Sequence, residues 1–340
     1  MQFRVSFARA SILFLGLTVG LGSVAGCGRY SINNLRSVKA FKDGTEAYKK
    51  SAFAEAAGHF QESIEFNGDQ GIVYFYLANS YDQMFKPSRK GEAENDGYMK
   101  KAVDNYQTAI DKLTGTSEAE QKFRRYSYEY MIAAYGTDKL DDFAKAEPIA
   151  KKLIELAPGE PGNYQMLGQL YEGQGRYDEA EEQFKKSVEA KPTDPGVYTA
   201  IAGYFNRQGK FDETMTALES RTKYEPNNPE AYHYMGTFYQ DKVAKDLTLT
   251  PVKKKAYILK GLEVEDKALA LNPNYVEAMV YKNIILRQQA TVEKDPGLQK
   301  KLIEEADQLR NKAMDMQKKA NAGASAATPE AAKKGGGEKK

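Results

Sequence analysis

Few side chains in this sequence could serve as nucleophiles, bases or metal ligands. Its 340 residues include one cysteine, Cys27, and two histidines, His59 and His233. One thiol cannot build a disulfide framework or a thiolate metal site. Only the acids usual on a charged helix stand three or four residues from either histidine, so both read as surface residues and not as ligands. Carboxylate pairs such as Glu181-Glu182 and Glu304-Glu305 fall on exposed helix faces, and 47 acids produce such pairs by chance. No phosphate loop, dinucleotide fingerprint, H-E-x-x-H or G-x-S-x-G is present. Gly173-x-Gly175 falls at a turn, where ending a helix explains it. The reading is therefore no catalytic residue, no metal and no cofactor. A hydrolase using groove carboxylates remains an alternative to binding.

Charge and composition narrow the class further. The chain carries 49 Lys and Arg against 47 Asp and Glu, a formal +2, which gives no basis for a nucleic-acid partner. At 41% hydrophobic and 28% charged it is globular, neither a membrane bundle nor a wholly disordered chain.

The segment before Cys27 is built as an address. Arg4 and Arg9 precede the apolar run Ile12–Leu21, and small residues follow. Those are the three parts of a secretory signal, and the run is shorter than the ~20 residues a spanning helix needs. The segment ends Val24-Ala25-Gly26-Cys27, which resembles a bacterial lipoprotein box. The resemblance implies a signal peptide over 1–26, cleavage before Cys27, and a diacylglyceryl group on its thiol, with the amine acylated (a palmitate-type anchor). It further implies a lipidated tether over 27–36. Gly28 stands where Asp would favour inner-membrane retention, so the resemblance points to the outer membrane, on its periplasmic face. Removing Arg4 and Arg9 leaves 47 bases against 47 acids.

The body repeats with a period of 34. Tyr164-x-x-Leu167-Gly168-x-x-Tyr171 with Ala180, Phe184 and Pro192 aligns without a gap on Tyr198-x-x-Ile201-Ala202-x-x-Phe205 with Leu218 and Pro226. Thirty-four residues further on stand Tyr232, Met235-Gly236 and Tyr239. Residues four apart share a helix face, Gly168 and Ala180 let two helices approach, Gly175 ends a first helix and Pro192 ends a second. This pattern resembles the tetratricopeptide repeat, with Tyr in place of its first Trp. The resemblance implies an all-α fold, an α-solenoid of about six to seven stacked antiparallel helix pairs over 37–316. The repeats are expected at 37–70, 71–116, 125–160, 161–194, 195–228, 229–275 and 276–316. Ser117 with Glu120, Thr250-Pro251 and Asp295-Pro296 mark helix starts. Repeats two and six are longer between their helices, read either as longer helices with a solvated loop or as docking insertions. Residues 317–340 lack an apolar period and carry six Lys against two Glu, which reads as a disordered basic tail.

In the family, a concave groove is lined by set positions of each first helix. Carried onto this sequence, those positions include Phe41, Tyr48, Phe75, Asn79, Tyr126, Glu129, Gln165, Gln169, Thr199, Asn206, Arg207, His233, Gln240 and Asp241. Two readings stand for the aromatic ones: an apolar anchor for a peptide, or packing between repeats. The Lys/Asn carboxylate clamp of chaperone-binding repeats is absent, since Phe41 and Thr45 take the first repeat's places. Together, these resemblances suggest a lipid-anchored scaffold in the bacterial envelope. It would hold other envelope proteins or extended peptide segments in a machine for outer-membrane protein insertion, pilus secretin assembly or polysaccharide export. An adaptor docking cell-wall hydrolases or proteases is the second reading.

Overall fold

The computed structural model describes residues 32–326; Cys27, the apolar run and residues 327–340 lie outside them. Among the described residues every regular element is helical. Two compact units divide the chain. The first holds α1 (Ile32–Lys49), α2 (Phe53–Phe66), α3 (Gly71–Met84), α4 (Ala93–Lys112) and α5 (Glu118–Ala134), with the loop residues Asp138–Leu140. The second holds α6 (Phe143–Leu156), α7 (Pro161–Gly173), α8 (Tyr177–Ala190), α9 (Pro195–Arg207), α10 (Phe211–Tyr224), α11 (Pro229–Lys245), α12 (Pro251–Leu271), α13 (Val276–Val292) and α14 (Pro296–Ala326). Within each unit, consecutive helices pack in antiparallel succession, as the repeat pattern requires. The unit boundary falls inside the expected third repeat, between α5 and α6. Its loop is drawn to the first unit because the Lys139 ammonium donates to the Asp82 carboxylate of α3.

Local chemistry sets the helix limits. Asp194 and Asn228 precede Pro195 and Pro229, and their side chains accept from Gly196 N (2.8 Å) and Glu230 N (3.0 Å). Thr250 caps α12 through Lys253 N at 3.3 Å, and Asp295 accepts from Gly297 N at 2.7 Å. Ser117 accepts from Glu120 N at 3.3 Å, as the capping box predicts. Between the helices of a pair the chain turns through the left-handed region. Asp141, Gly175 and Gly209 occupy it at 34-residue intervals, with φ of 54°, 70° and 72°, and Ser51 does the same after α1 with φ 59°. In the core, Gly168 lets α7 approach α8: a Cβ there would meet the Phe184 ring at 3.1 Å. The first-position tyrosines also gain a role Trp cannot fill identically. Tyr198 OH donates to Pro192 O at 2.8 Å and Tyr232 OH to Pro226 O at 3.1 Å, tying each repeat to the previous one.

Two sequence expectations are corrected. Residues 32–36 of the expected tether over 27–36 are helical, because α1 begins at Ile32. Its extra turn is held by α2: Asn67 Nδ2 donates to Asn34 Oδ1 at 2.9 Å, and Ser37 and Ser63 exchange bonds with each other's carbonyls at 2.8 and 2.9 Å. The boundary at 316 is passed by α14, which runs to Ala326, since Ala, Lys and Gln are good helix formers and no Pro intervenes. Of the two long insertions, most residues lengthen helices, the first of the two readings given for them, with 20 residues in α4, 17 in α11 and 21 in α12. No described helix is long and apolar enough to cross a membrane.

Because an L residue in the left-handed region costs roughly 1–2 kcal/mol relative to glycine, Gly175→Ala and Gly209→Ala should each lower unfolding free energy by about 1 kcal/mol. Ser51→Gly should raise it by a comparable amount. Urea unfolding followed by circular dichroism reads the three changes, and an unchanged midpoint in all of them would remove the turn argument.

Candidate functional site

The first helices carry the positions from which a binding face would be built. In the first unit, α1, α3 and α5 lie side by side, and their expected groove residues turn out to be knitted together. The Tyr48 hydroxyl donates to Asn79 Oδ1, and Asn79 Nδ2 donates to the Tyr106 hydroxyl of α4 at 3.1 Å. Asn79 is 3% exposed and Phe75 2%. Phe75 is ringed by Tyr76, Tyr106, Phe123, Tyr126 and Tyr130 at centroid distances of 5.1 to 6.2 Å. Phe41 is half-buried against Phe60 and Tyr76. Burial pushes the Tyr48 and Tyr106 phenols well above their ordinary range, and burial followed by the nearby Asp82 carboxylate pushes up Tyr130. These phenols stay protonated at neutral pH; Tyr48 donates to the Asn79 amide, and Tyr106 accepts from it. Here packing, the second of the two readings, accounts for Phe75 and Asn79, which are corrected from groove lining to interior. Tyr126 keeps one face open to the Lys122 and Arg125 cations at 5.6 and 5.5 Å, and Glu129 lies 3.7 Å from Arg125.

In the second unit the polar first-helix positions remain accessible. Gln169, Asn206 and Asp241, on α7, α9 and α11, are exposed, while Gln165, Thr199 and Gln240 are half-buried. Thr199 donates to Pro195 O at 3.3 Å and Asp241 pairs with Lys245 at 2.6 Å. Arg207 reaches across from α9 to grip Glu172 of α7 with two parallel bonds of 2.8 and 2.7 Å, and Gln208 joins at 3.2 Å. Such a two-point pair fixes the spacing of neighbouring first helices more firmly than a single bond.

His233 is the largest departure from expectation. It is 9% exposed, so it is neither a surface histidine nor groove lining. Its Nδ1 faces both oxygens of Glu265, at 3.0 and 3.1 Å, and Glu265 is 0% exposed. The edges of Tyr275 and Tyr281 close the site, each 5.1 Å away between centroids. A Cβ at Gly236 would stand 2.2 Å from Glu265 Oε1, so only glycine leaves room for the carboxylate. Burial drives the Glu265 carboxyl up to about 7, against the lowering pull of the His233 hydrogen bond.

Sequence reasoning passed over Asp82, Glu172, Tyr130, Lys139 and Glu265. Asp82 and Glu172 had a signal: both stand eight residues after a first aromatic, like Asn206 and Gln240. Glu265 had one too, because aligning Ala180-x-x-x-Phe184 onto repeat six gives Gly261-x-x-x-Glu265. Lys139 had none, since its partner lies 57 residues away.

A family model described as tetratricopeptide repeat matches residues 139–203. No curated protein matches the chain by sequence. Among solved structures, the C-terminal part of a TPR repeat-containing protein from Cytophaga hutchinsonii superposes with a TM-score of 0.51 at 18% identity, covering 81% of this chain and 98% of that one. A tetratricopeptide repeat protein from Parabacteroides merdae gives 0.44 at 14% identity, covering 80% and 99%. MamA from Desulfovibrio magneticus gives 0.41 at 12% identity, covering 56% and 96%.

A carboxyl whose pKa is raised by folding takes up a proton on folding, so the stability it contributes is full below its unfolded value near 4.5 and falls as pH rises through about 7. Unfolding of the second unit should therefore become easier between pH 5 and pH 7.5, by up to roughly 3 kcal/mol from this group. Glu265→Gln should flatten that slope in a pH series of urea melts; an equally steep slope would assign the dependence elsewhere. Separately, Asn79→Ala should cost about 2 kcal/mol or more, because it strands the buried Tyr106 hydroxyl and the Tyr48 donor together.

Proposed function

From a tetratricopeptide-repeat protein built of these two units, we propose a lipid-anchored scaffold that holds an extended segment of another envelope protein on its first-helix face. The observation that carries the binding half is the row of accessible polar positions on successive first helices, Gln169, Asn206 and Asp241, beside the rigid Arg207–Glu172 tie. Amides and carboxylates in that arrangement match the unpaired N–H and C=O groups of an extended backbone, the usual guest of helical-repeat surfaces. Half-exposed Tyr126 offers a ring for an apolar side chain within the first unit. The anchoring half rests on the sequence, on the Val24-Ala25-Gly26-Cys27 box behind a short signal. Two or more acyl chains at Cys27 would hold the protein stably, where one chain holds only weakly. Gly28 after the box favours the outer membrane over the inner one, and the resemblance to envelope repeat lipoproteins supports a role in assembling a multiprotein machine.

Cys27→Ser should move the protein from the membrane to the soluble fraction, and unchanged fractionation would refute the anchor. A photoreactive residue at Gln169 or Asn206, activated in intact membranes, should join the protein to envelope-assembly components. Joining to a cell-wall hydrolase would favour the adaptor reading, and no crosslinked partner from either position would overturn the scaffold.

A further inference from the structure

The start of α1 presents an apolar face that no described element of the first unit covers. Ile32, Leu35 and Val38 are 68%, 59% and 59% exposed, in a helix whose inner face buries Ser37, Ala40, Gly44 and Ala47. Leu35, Val38, Lys39 and Lys42 fall three and four residues apart, so they form one stripe along the outer side. The helix has no acid before Asp43. Aliphatic side chains interleaved with Lys on the exposed side of a helix are what an interfacial helix presents to an anionic bilayer.

We propose that this stripe rests on the membrane surface to which Cys27 is anchored, so that α1 lies in the headgroup layer and fixes how the first unit stands on the bilayer. The inference depends on the lipid anchor proposed above. Only the residues between Cys27 and Ile32 separate the lipid from the helix, a span of about 18 Å at full extension. The headgroup layer and the ~5–10 Å immersion of an interfacial helix use up much of that span. A second copy of the chain fits the face less well: three aliphatic side chains supply at most about half of the ~800 Å² per partner that a stable interface buries. The Lys39 and Lys42 charges would also repel their counterparts in a symmetric pairing and would attract anionic headgroups.

The chain contains no Trp, so Leu35→Trp gives a single fluorophore on the stripe, and Tyr177→Trp, at a 51% exposed position on α8, gives the matched control. Lipid-modified full-length protein is reconstituted into vesicles of phosphatidylethanolamine and phosphatidylglycerol, with and without bromine on the acyl chains, and flotation reads the anchor independently. Leu35→Trp should be quenched about threefold more than Tyr177→Trp, and adding Lys39→Glu with Lys42→Glu should roughly halve that difference. Equal quenching at the two positions in protein that floats would overturn the proposal and leave the anchor standing. Failure to float would overturn the anchor and, with it, the proposal. A blue shift at Leu35→Trp without bromine quenching, in protein that sediments as a dimer, would assign the face to a second copy and overturn the membrane contact.

Discussion

At Gly44 a Cβ would stand 2.7 Å from the Phe60 ring, and at Gly168 it would stand 3.1 Å from Phe184. These are the same position of the repeat, a first-helix glycine facing a second-helix ring. An isolated helix pair buries little surface, so its stability depends on closing the pair tightly and on covering the remaining face with the next pair. The glycine-to-ring contact achieves the first; Phe60, Tyr106, Phe184 and Leu218, all fully buried or nearly so, achieve the second. Turns, caps and prolines set where each helix begins and ends, but in these two pairs it is this contact that sets how far apart the helices stand.

Where the ring position turns polar, the structure has to supply a partner. Tyr106 keeps the ring and adds a hydroxyl, and Asn79 from the neighbouring first helix bonds it. Glu265 abandons the ring altogether, and the glycine opposite becomes indispensable for another reason: it admits a carboxylate, which His233 then meets. A buried acid without such a partner would be strongly destabilising, and even with it the carboxyl is pushed up to about 7. These two buried polar centres thus arise from one repeat position, substituted in two different ways.

This explains what was legible in the sequence. The period of 34, the helix-ending Gly175 and the Pro-led helix starts depend on residues close in the chain, so spacing reveals them. Contacts between helices of different pairs leave no local trace. Lys139 and Asp82 are 57 residues apart, and His233 and Glu265 are 32 apart, so neither pairing shows as a helical spacing. The start of α1 is hidden for a related reason: residues 32–36 have little helical signature of their own, and their helicity depends on the Ser37–Ser63 and Asn34–Asn67 bonds to α2 and its C-cap. First-helix positions transferred from a repeat family carry the same risk. The spacing predicts which way Phe75, Asn79 and His233 point, whereas burial depends on how large their neighbours are.

The two units use equivalent positions differently. In the first, large aromatic residues close over the first-helix face, and the hydroxyls and the amide of Tyr48, Asn79 and Tyr106 satisfy one another. In the second, shorter amides and hydroxyls leave the face open, and an ion pair, Arg207 with Glu172, keeps its helices in register without filling the surface. A closed aromatic face resists deformation and offers few free donors; an open polar face offers donors but needs rigid ties to hold them at a fixed spacing. Binding an extended backbone requires the second arrangement, because each added residue of the guest must meet a donor or acceptor already in place.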